Sequence, residues 1–127
     1  MQFREELTDK TKYTITAYGD GGFRIQDRRV EGAIALSAHE LIQVDGDSLE
    51  SLDQKALSEF LAKIADNIDV FLIGCGAQIT VVPVVLQNLL MKYKLSFDQM
   101  DSGAACRTYN VLQQEERRVA AIILPVN

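Results

Sequence analysis

Two short segments of the chain carry residue types suited to holding a small anion. Gly74-Cys75-Gly76-Ala77-Gln78 and Asp101-Ser102-Gly103-Ala104-Ala105 each follow an apolar run and precede a helical pattern. Glycines let a backbone approach a ligand closely, and the free N–H groups of a helix start attract negative charge. Arg107, in the first turn of the helix that follows Asp101, adds a fixed positive charge. Tyr109 and Asn110 come next; Tyr109 also fits an inward helical stripe, and Asn110 equally suits fixing a neighbouring loop. Gly74, Gly76, Asp101, Gly103, Arg107 and Asn110 therefore form the candidate crevice for a carboxylate, phosphate or other small anion. The same small residues and caps also serve any short strand-to-helix loop, ligand or not.

Other chemistries lack their parts. The Gly74/Gly76 pair has neither the third glycine nor the downstream acid of a dinucleotide fingerprint, and no Walker lysine follows. Gly19-Asp20-Gly21-Gly22 resembles a phosphate loop, but it joins two strand patterns and reads as a hairpin turn. Cys106 sits near a helix start beside Arg107, where both the helix dipole and the guanidinium favour a thiolate, so it is the best nucleophile candidate. A catalytic thiol needs a base, however, and the single histidine, His39, falls on a turn in a distant segment. Cys106 is therefore read as a packed residue, and Cys75, at a strand end, likewise. One histidine and two scattered cysteines give no metal-site spacing. No catalytic residue, metal or cofactor is assigned. Glu115-Glu116-Arg117-Arg118 reads as a solvated helix end or a contact surface.

The elements that must position these loops follow from periodicity. Tyr13–Tyr18, Phe23–Gln26, Val30–Leu36 and Leu41–Val44 alternate or run apolar between turn residues, the pattern of an antiparallel meander. Ala56, Leu57, Phe60, Leu61, Ile64 and Ala65 make a helical stripe, with Ser51 and Gln54 as a capping box. Asp69–Ile73 is a short buried strand. Pro83 suits the first turn of a second helix with Leu86, Leu89, Leu90 and Tyr93 inward. Leu95–Asp98 reads as a strand, Asp101 or Ser102 as the cap of a third helix with Ala105, Tyr109 and Leu112 inward, and Val119–Leu124 as the closing strand. Apolar strands separated by helices imply a parallel sheet covered on both faces. The expected fold is one α/β domain over 1–127: N-terminal antiparallel strands joined to a β-α-β-α-β-type mixed sheet, with helices on its faces. Leu57, Phe60, Leu61, Ile73, Leu86, Leu90, Leu112, Ile122 and Leu124 are the expected core.

Composition narrows the setting. The chain has 127 residues, 47% of them hydrophobic, enough for a core without metal or disulfide staples. Thirteen basic and 18 acidic residues give a net charge of −5, which disfavours nucleic acid and anionic membranes. No apolar stretch reaches the roughly 18 residues of a membrane span. Residues 1–6 lack the apolar run of a signal peptide and carry acids that transit peptides avoid. A cytoplasmic protein is expected.

Cys106-Arg107-Thr108-Tyr109-Asn110-Val111-Leu112, followed by Glu116-Arg117-Arg118-Val119-Ala120-Ala121, is a distinctive pair of segments. Together with Tyr18-Gly19-Asp20-Gly21-Gly22-Phe23 and Phe71-Leu72-Ile73-Gly74-Cys75-Gly76, it resembles a domain-of-unknown-function family. That family includes a mitochondrial assembly factor for respiratory complex I, the NADH:ubiquinone oxidoreductase, and the resemblance covers roughly residues 10–124. It implies a compact α/β domain with a mixed sheet, and supplies no catalytic residues. Family members commonly have Gly-Thr-Gly where this chain has Gly74-Cys75-Gly76, so no thiol is required there. With no long N-terminal extension, the chain looks like a bacterial, cytoplasmic member. The resemblance implies a non-catalytic interaction or assembly protein with a protein partner, acting on a respiratory or membrane complex. The alternative is a small-molecule or anion-binding domain, or an enzyme, using the crevice between the two glycine loops. Self-association is left open.

Overall fold

A computed structural model describes residues 11–127; the signal-peptide reading of residues 1–6 lies outside them. The first two strands, β1 (Ile15–Gly19) and β2 (Gly22–Ile25), form a hairpin across Asp20-Gly21. Gly19–Gly22 is thus a turn, and the Arg29 guanidinium donates to the carbonyls of Gly19 and Asp20 at 3.0 and 2.8 Å. The run Val30–Leu36, expected as one strand, is two. Gly32, at φ +82°, breaks it into β3 (Arg28–Glu31) and β4 (Ala33–Ser37). That left-handed residue lets the chain leave one sheet and enter another. β3 completes a three-stranded antiparallel sheet in the order β1-β2-β3, whereas β4 joins the main sheet beside β5 (Leu41–Val44).

Helix α1 (Gln54–Ile64) is capped by Asp53, whose carboxylate accepts from the Lys55 and Ala56 N–H groups at 3.0 and 3.2 Å. Ser51, the expected cap, instead uses its hydroxyl to hold the Asp47 and Ser48 N–H groups in the preceding loop. Asp caps about as well as Ser, so sequence alone does not separate the two. Strand β6 (Val70–Gly74) leads to α2 (Val84–Lys92), which Pro83 precedes as N-cap. Leu86 and Leu90 are buried, while Leu89 and Tyr93 are half-buried against the same core. The third parallel strand, β7, is Asp98–Met100, three residues past the expected start at Leu95. Leu95 and Phe97 pack on the core from the connecting loop, so their apolar character reports burial rather than strand pairing. α3 (Ser102–Gln114) and β8 (Val119–Ile123) close the domain.

The main sheet has the order β5-β4-β8-β6-β7, with β6 parallel to both β7 and β8 and β4 antiparallel to β8. Alternation along the strands divides the core in two. Ala120, Ile122 and Leu124 face α1 and α2 with Phe71 and Ile73. Val119, Ala121 and Ile123 face α3 and the small sheet, meeting Tyr109, Phe23 and Ile25. Each fully buried large apolar side chain contributes roughly 1.5–3 kcal/mol. Of the expected core, Leu112 departs: it is half-buried, and the inward stripe of α3 runs instead through Cys106, Tyr109 and Gln113. No helix among the described residues is long and apolar enough to cross a membrane.

Candidate functional site

The two glycine loops do meet at the carboxyl edge of the parallel strands, and they are tied together there. The Gly76 N–H donates to the Ser102 hydroxyl at 2.8 Å, and the Ser102 N–H donates to the Gly76 carbonyl at 2.8 Å. The Ser102 hydroxyl donates onward to the Leu124 carbonyl at 2.6 Å, and the Leu124 N–H donates to the Gly74 carbonyl at 3.0 Å. Asp101 caps α3 through the Ala104 N–H at 2.8 Å, and its carbonyl takes the Ala105 N–H at 3.0 Å. Of the N–H groups near Gly76–Ala77 and Gly103–Ala105 expected to face an anion, those of Gly76, Ala104 and Ala105 are engaged within the chain, whereas those of Ala77 and Gly103 have no acceptor among the described residues.

Gly103 and Arg107 face the neighbouring strand β1. A Cβ at Gly103 would lie 2.5 Å from the Tyr18 hydroxyl, so glycine there permits a close approach. Arg107, exposed, reaches that same hydroxyl at 3.5 Å. Asn110 acts as a clamp: its Oδ1 accepts from the Ile15 N–H at 2.9 Å and its Nδ2 donates to the Ile15 carbonyl at 2.6 Å. It fixes β1 where the β1–β2 register shifts between Ile15 and Ala17. An open groove of about 400 Å³ runs past Tyr18, Cys106, Arg107 and Asn110. Cys106 is 3% exposed, and burial pushes its thiol up to about 12, against a weaker opposing pull from Arg107. The expected lowering by the helix start is overturned because desolvation of a thiolate outweighs both the dipole and the nearby charge. Cys75 is also buried.

A second cavity, of about 410 Å³, lies at the opposite, amino edge of the parallel strands. Ser37 at the end of β4, His39 and Glu40 in the β4–β5 turn, Lys63 near the end of α1, Gln113 near the end of α3 and Arg117 in the connection to β8 line it. Ile64, Ile68 and Val119 give it an apolar floor. Beside it, Arg118 makes a two-armed ion pair with Asp69, Nε to Oδ2 at 2.9 Å and Nη2 to Oδ1 at 2.8 Å, joining the starts of β6 and β8. In the sequence Ile64, Asp69 and Val119 read only as parts of a helix or strand, and Arg117 and Arg118 as a helix end or contact surface. Gln113 had a legible signal: it lies four residues after Tyr109, a polar residue on an apolar helical stripe. Ser37 had none.

A third feature is a face. Ile79, Val81, Val84 and Val85 are 58, 84, 68 and 47% exposed, in the segment that joins β6 to α2 and in the first turn of that helix. From Phe71 to Met91 the chain carries no charged residue. The carbonyls of Thr80 and Val82 are held by Gln99 and Gln87 at 3.0 and 2.8 Å. The N–H groups of Ile79 and Val81 have no acceptor among the described residues.

A family model described as "Protein of unknown function (DUF498/DUF598)" matches residues 15–124. The chain belongs to this family. This DUF498/DUF598 protein is 34% identical over 113 residues to an uncharacterised protein of Rhodobacter capsulatus, an alignment spanning 88% of this chain and 84% of that protein. It is 30% identical over 116 residues to the NADH dehydrogenase (ubiquinone) 1 alpha subcomplex assembly factor 3 of Drosophila melanogaster, spanning 87% of this chain but 58% of the length of that factor. Among solved structures, an outer membrane protein from Bartonella henselae superposes with a TM-score of 0.80 at 37% identity, over 91% of this chain and 97% of that one. The resemblance read from the α3–β8 segments and the α/β architecture both stand.

Proposed function

We propose that this chain is a non-catalytic docking protein that supports assembly of a respiratory complex of the NADH:ubiquinone oxidoreductase type from the cytoplasmic side. The observation that carries this reading is the exposed face of Ile79, Val81, Val84 and Val85. Exposed β-branched residues are common singly, but four within positions 79–85 of a charge-free run mark an interaction surface. The segment before α2 is pinned through its carbonyls and presents unpaired N–H groups, so it offers a partner both apolar area and backbone donors, as in strand addition. The assembly role named for the fly relative supports the choice of partner class.

Deleting the gene in its native host is expected to lower the membrane content of the assembled oxidoreductase, measured by native gel and NADH oxidation. Wild-type chain restores it, and a Val81→Lys, Val84→Lys double variant with an unchanged melting temperature does not. An unchanged complex in the deletion strain removes the assembly role. Full rescue by the double variant removes this face from it.

A further inference from the structure

We infer that the amino-edge cavity is a binding site for a small organic acid that also carries a hydrogen-bond donor. Two buried polar side chains from different elements line it. Ser37 is 6% exposed and Gln113 is 5% exposed. The Ser37 hydroxyl makes no hydrogen bond to another described residue. The orientation of Gln113 is set by chemistry. The Tyr109 hydroxyl has one proton, and it donates that proton to the Tyr13 carbonyl at 2.9 Å. A carbonyl only accepts, so Gln113 must approach the same hydroxyl with its amide N–H, at 3.0 Å. The Gln113 carboxamide oxygen is thereby left over as an acceptor, and among the described residues nothing donates to it. No buried side-chain nitrogen or oxygen among the described residues lacks a partner, so this oxygen and the Ser37 hydroxyl open to the cavity, where a ligand donor can reach them.

The charge around it favours an acid at the other end of the ligand. Lys12, Lys63, Arg117 and Arg118 line the cavity against Glu40 and Glu116, on a chain whose net charge is −5. Arg118 is held by Asp69, and Lys63 lies 4.0 Å from Glu40. Arg117 makes no side-chain hydrogen bond or ion pair among the described residues. The carbonyl ends of α1 and α3 lie at the same edge and offset part of the positive charge, which is why a donor on the ligand matters as well as its anionic group. Ile64, Ile68 and Val119 suit an apolar body between the two polar ends. Carboxylates and phosphate monoesters share this chemistry.

The test is an amide-resolved NMR titration of the full chain with 4-hydroxybenzoate, with phenyl phosphate, and with uncharged 4-hydroxybenzamide. Saturable shifts confined to 37–40, 63–68 and 113–119 are expected for at least one acid, with the amide about tenfold weaker. Whichever acid binds more tightly identifies the anionic group. A Lys63→Ala, Arg117→Ala variant, altering two exposed side chains, is expected to weaken the acid by about tenfold and leave the amide unchanged. Linear or scattered shifts with every probe overturn the site. Equal binding of acid and amide, or acid binding untouched in the double variant, overturns the assignment of an organic acid.

Discussion

The two ends of the parallel strands solve one problem by opposite means. Both must tie β6 to β8. At the carboxyl edge the tie is a fully buried serine hydroxyl, Ser102, bridging the Gly76 N–H and the Leu124 carbonyl. At the amino edge it is an exposed ion pair, Asp69–Arg118. The buried tie engages the Gly76 N–H and the Leu124 carbonyl within the chain. The exposed tie sits at the rim of a cavity and leaves its end open. At the edge where such a topology usually binds ligands, one short side chain thus satisfies a donor and an acceptor at once and ties the two loops to each other.

The scale for this comparison is set by the core under α1. Phe60, 2% exposed, is expected to cost about 3–5 kcal/mol on truncation to Ala, measured by denaturant unfolding. Ser102→Ala comes next, at about 1–3 kcal/mol, since it leaves a buried N–H and a buried carbonyl unpaired. A loss below about 0.5 kcal/mol would mean that water or a neighbour replaces the hydroxyl, and the contrast between the two edges would fail.

Cys106 sharpens the comparison near the carboxyl edge. Its thiol stays neutral in the fold, raised from 9.0 to about 12, chiefly by burial. The raised value contributes stability that is complete below the unfolded value of 9.0 and is lost as pH climbs toward about 12. Wild type is expected to lose stability over that window more steeply than Cys106→Ala, and Cys106 is expected to resist iodoacetamide at pH 8 until denatured. Rapid alkylation in the native state would show an accessible thiolate and reopen a thiol role.

Arg118→Ala is expected to have the smallest effect, because both partners are exposed and screened by salt. Hydrogen bonding from Arg118 holds the Asp69 carboxyl below its ordinary value, so the pair stabilises above about pH 4 and is lost as pH falls through the lowered value. The difference between wild type and variant should shrink in acid and in high salt. A difference larger than that of Ser102→Ala, or one indifferent to both, would reverse the ranking of the two ties.

Local chemistry made much of this protein legible before its structure. The Leu57–Ile64 stripe and the buried runs at Phe71–Ile73 and Ala120–Ile122 each state their conformation through period or burial and stand where they were read, and of the two caps offered for α3 the structure uses Asp101. The α3–β8 segments carried the family. Tertiary structure decided what depends on residues far apart in the chain. Gly32 could have ended or bent a strand; only the competition between two sheets made it the point where the chain changes sheets. Asn110 reads equally as a ligand group or as a clamp on a neighbouring segment, and only its contact with Ile15, 95 positions away, which takes both of its amide ends, decides for the clamp. Ser37 and Gln113 meet at one cavity because β4 runs antiparallel to β8 and α3 ends beside it. Short-range patterns report which face of an element is buried, but hydrogen-bond partners and cavities belong to the packing of elements against one another, and no window of sequence contains both sides of such a contact.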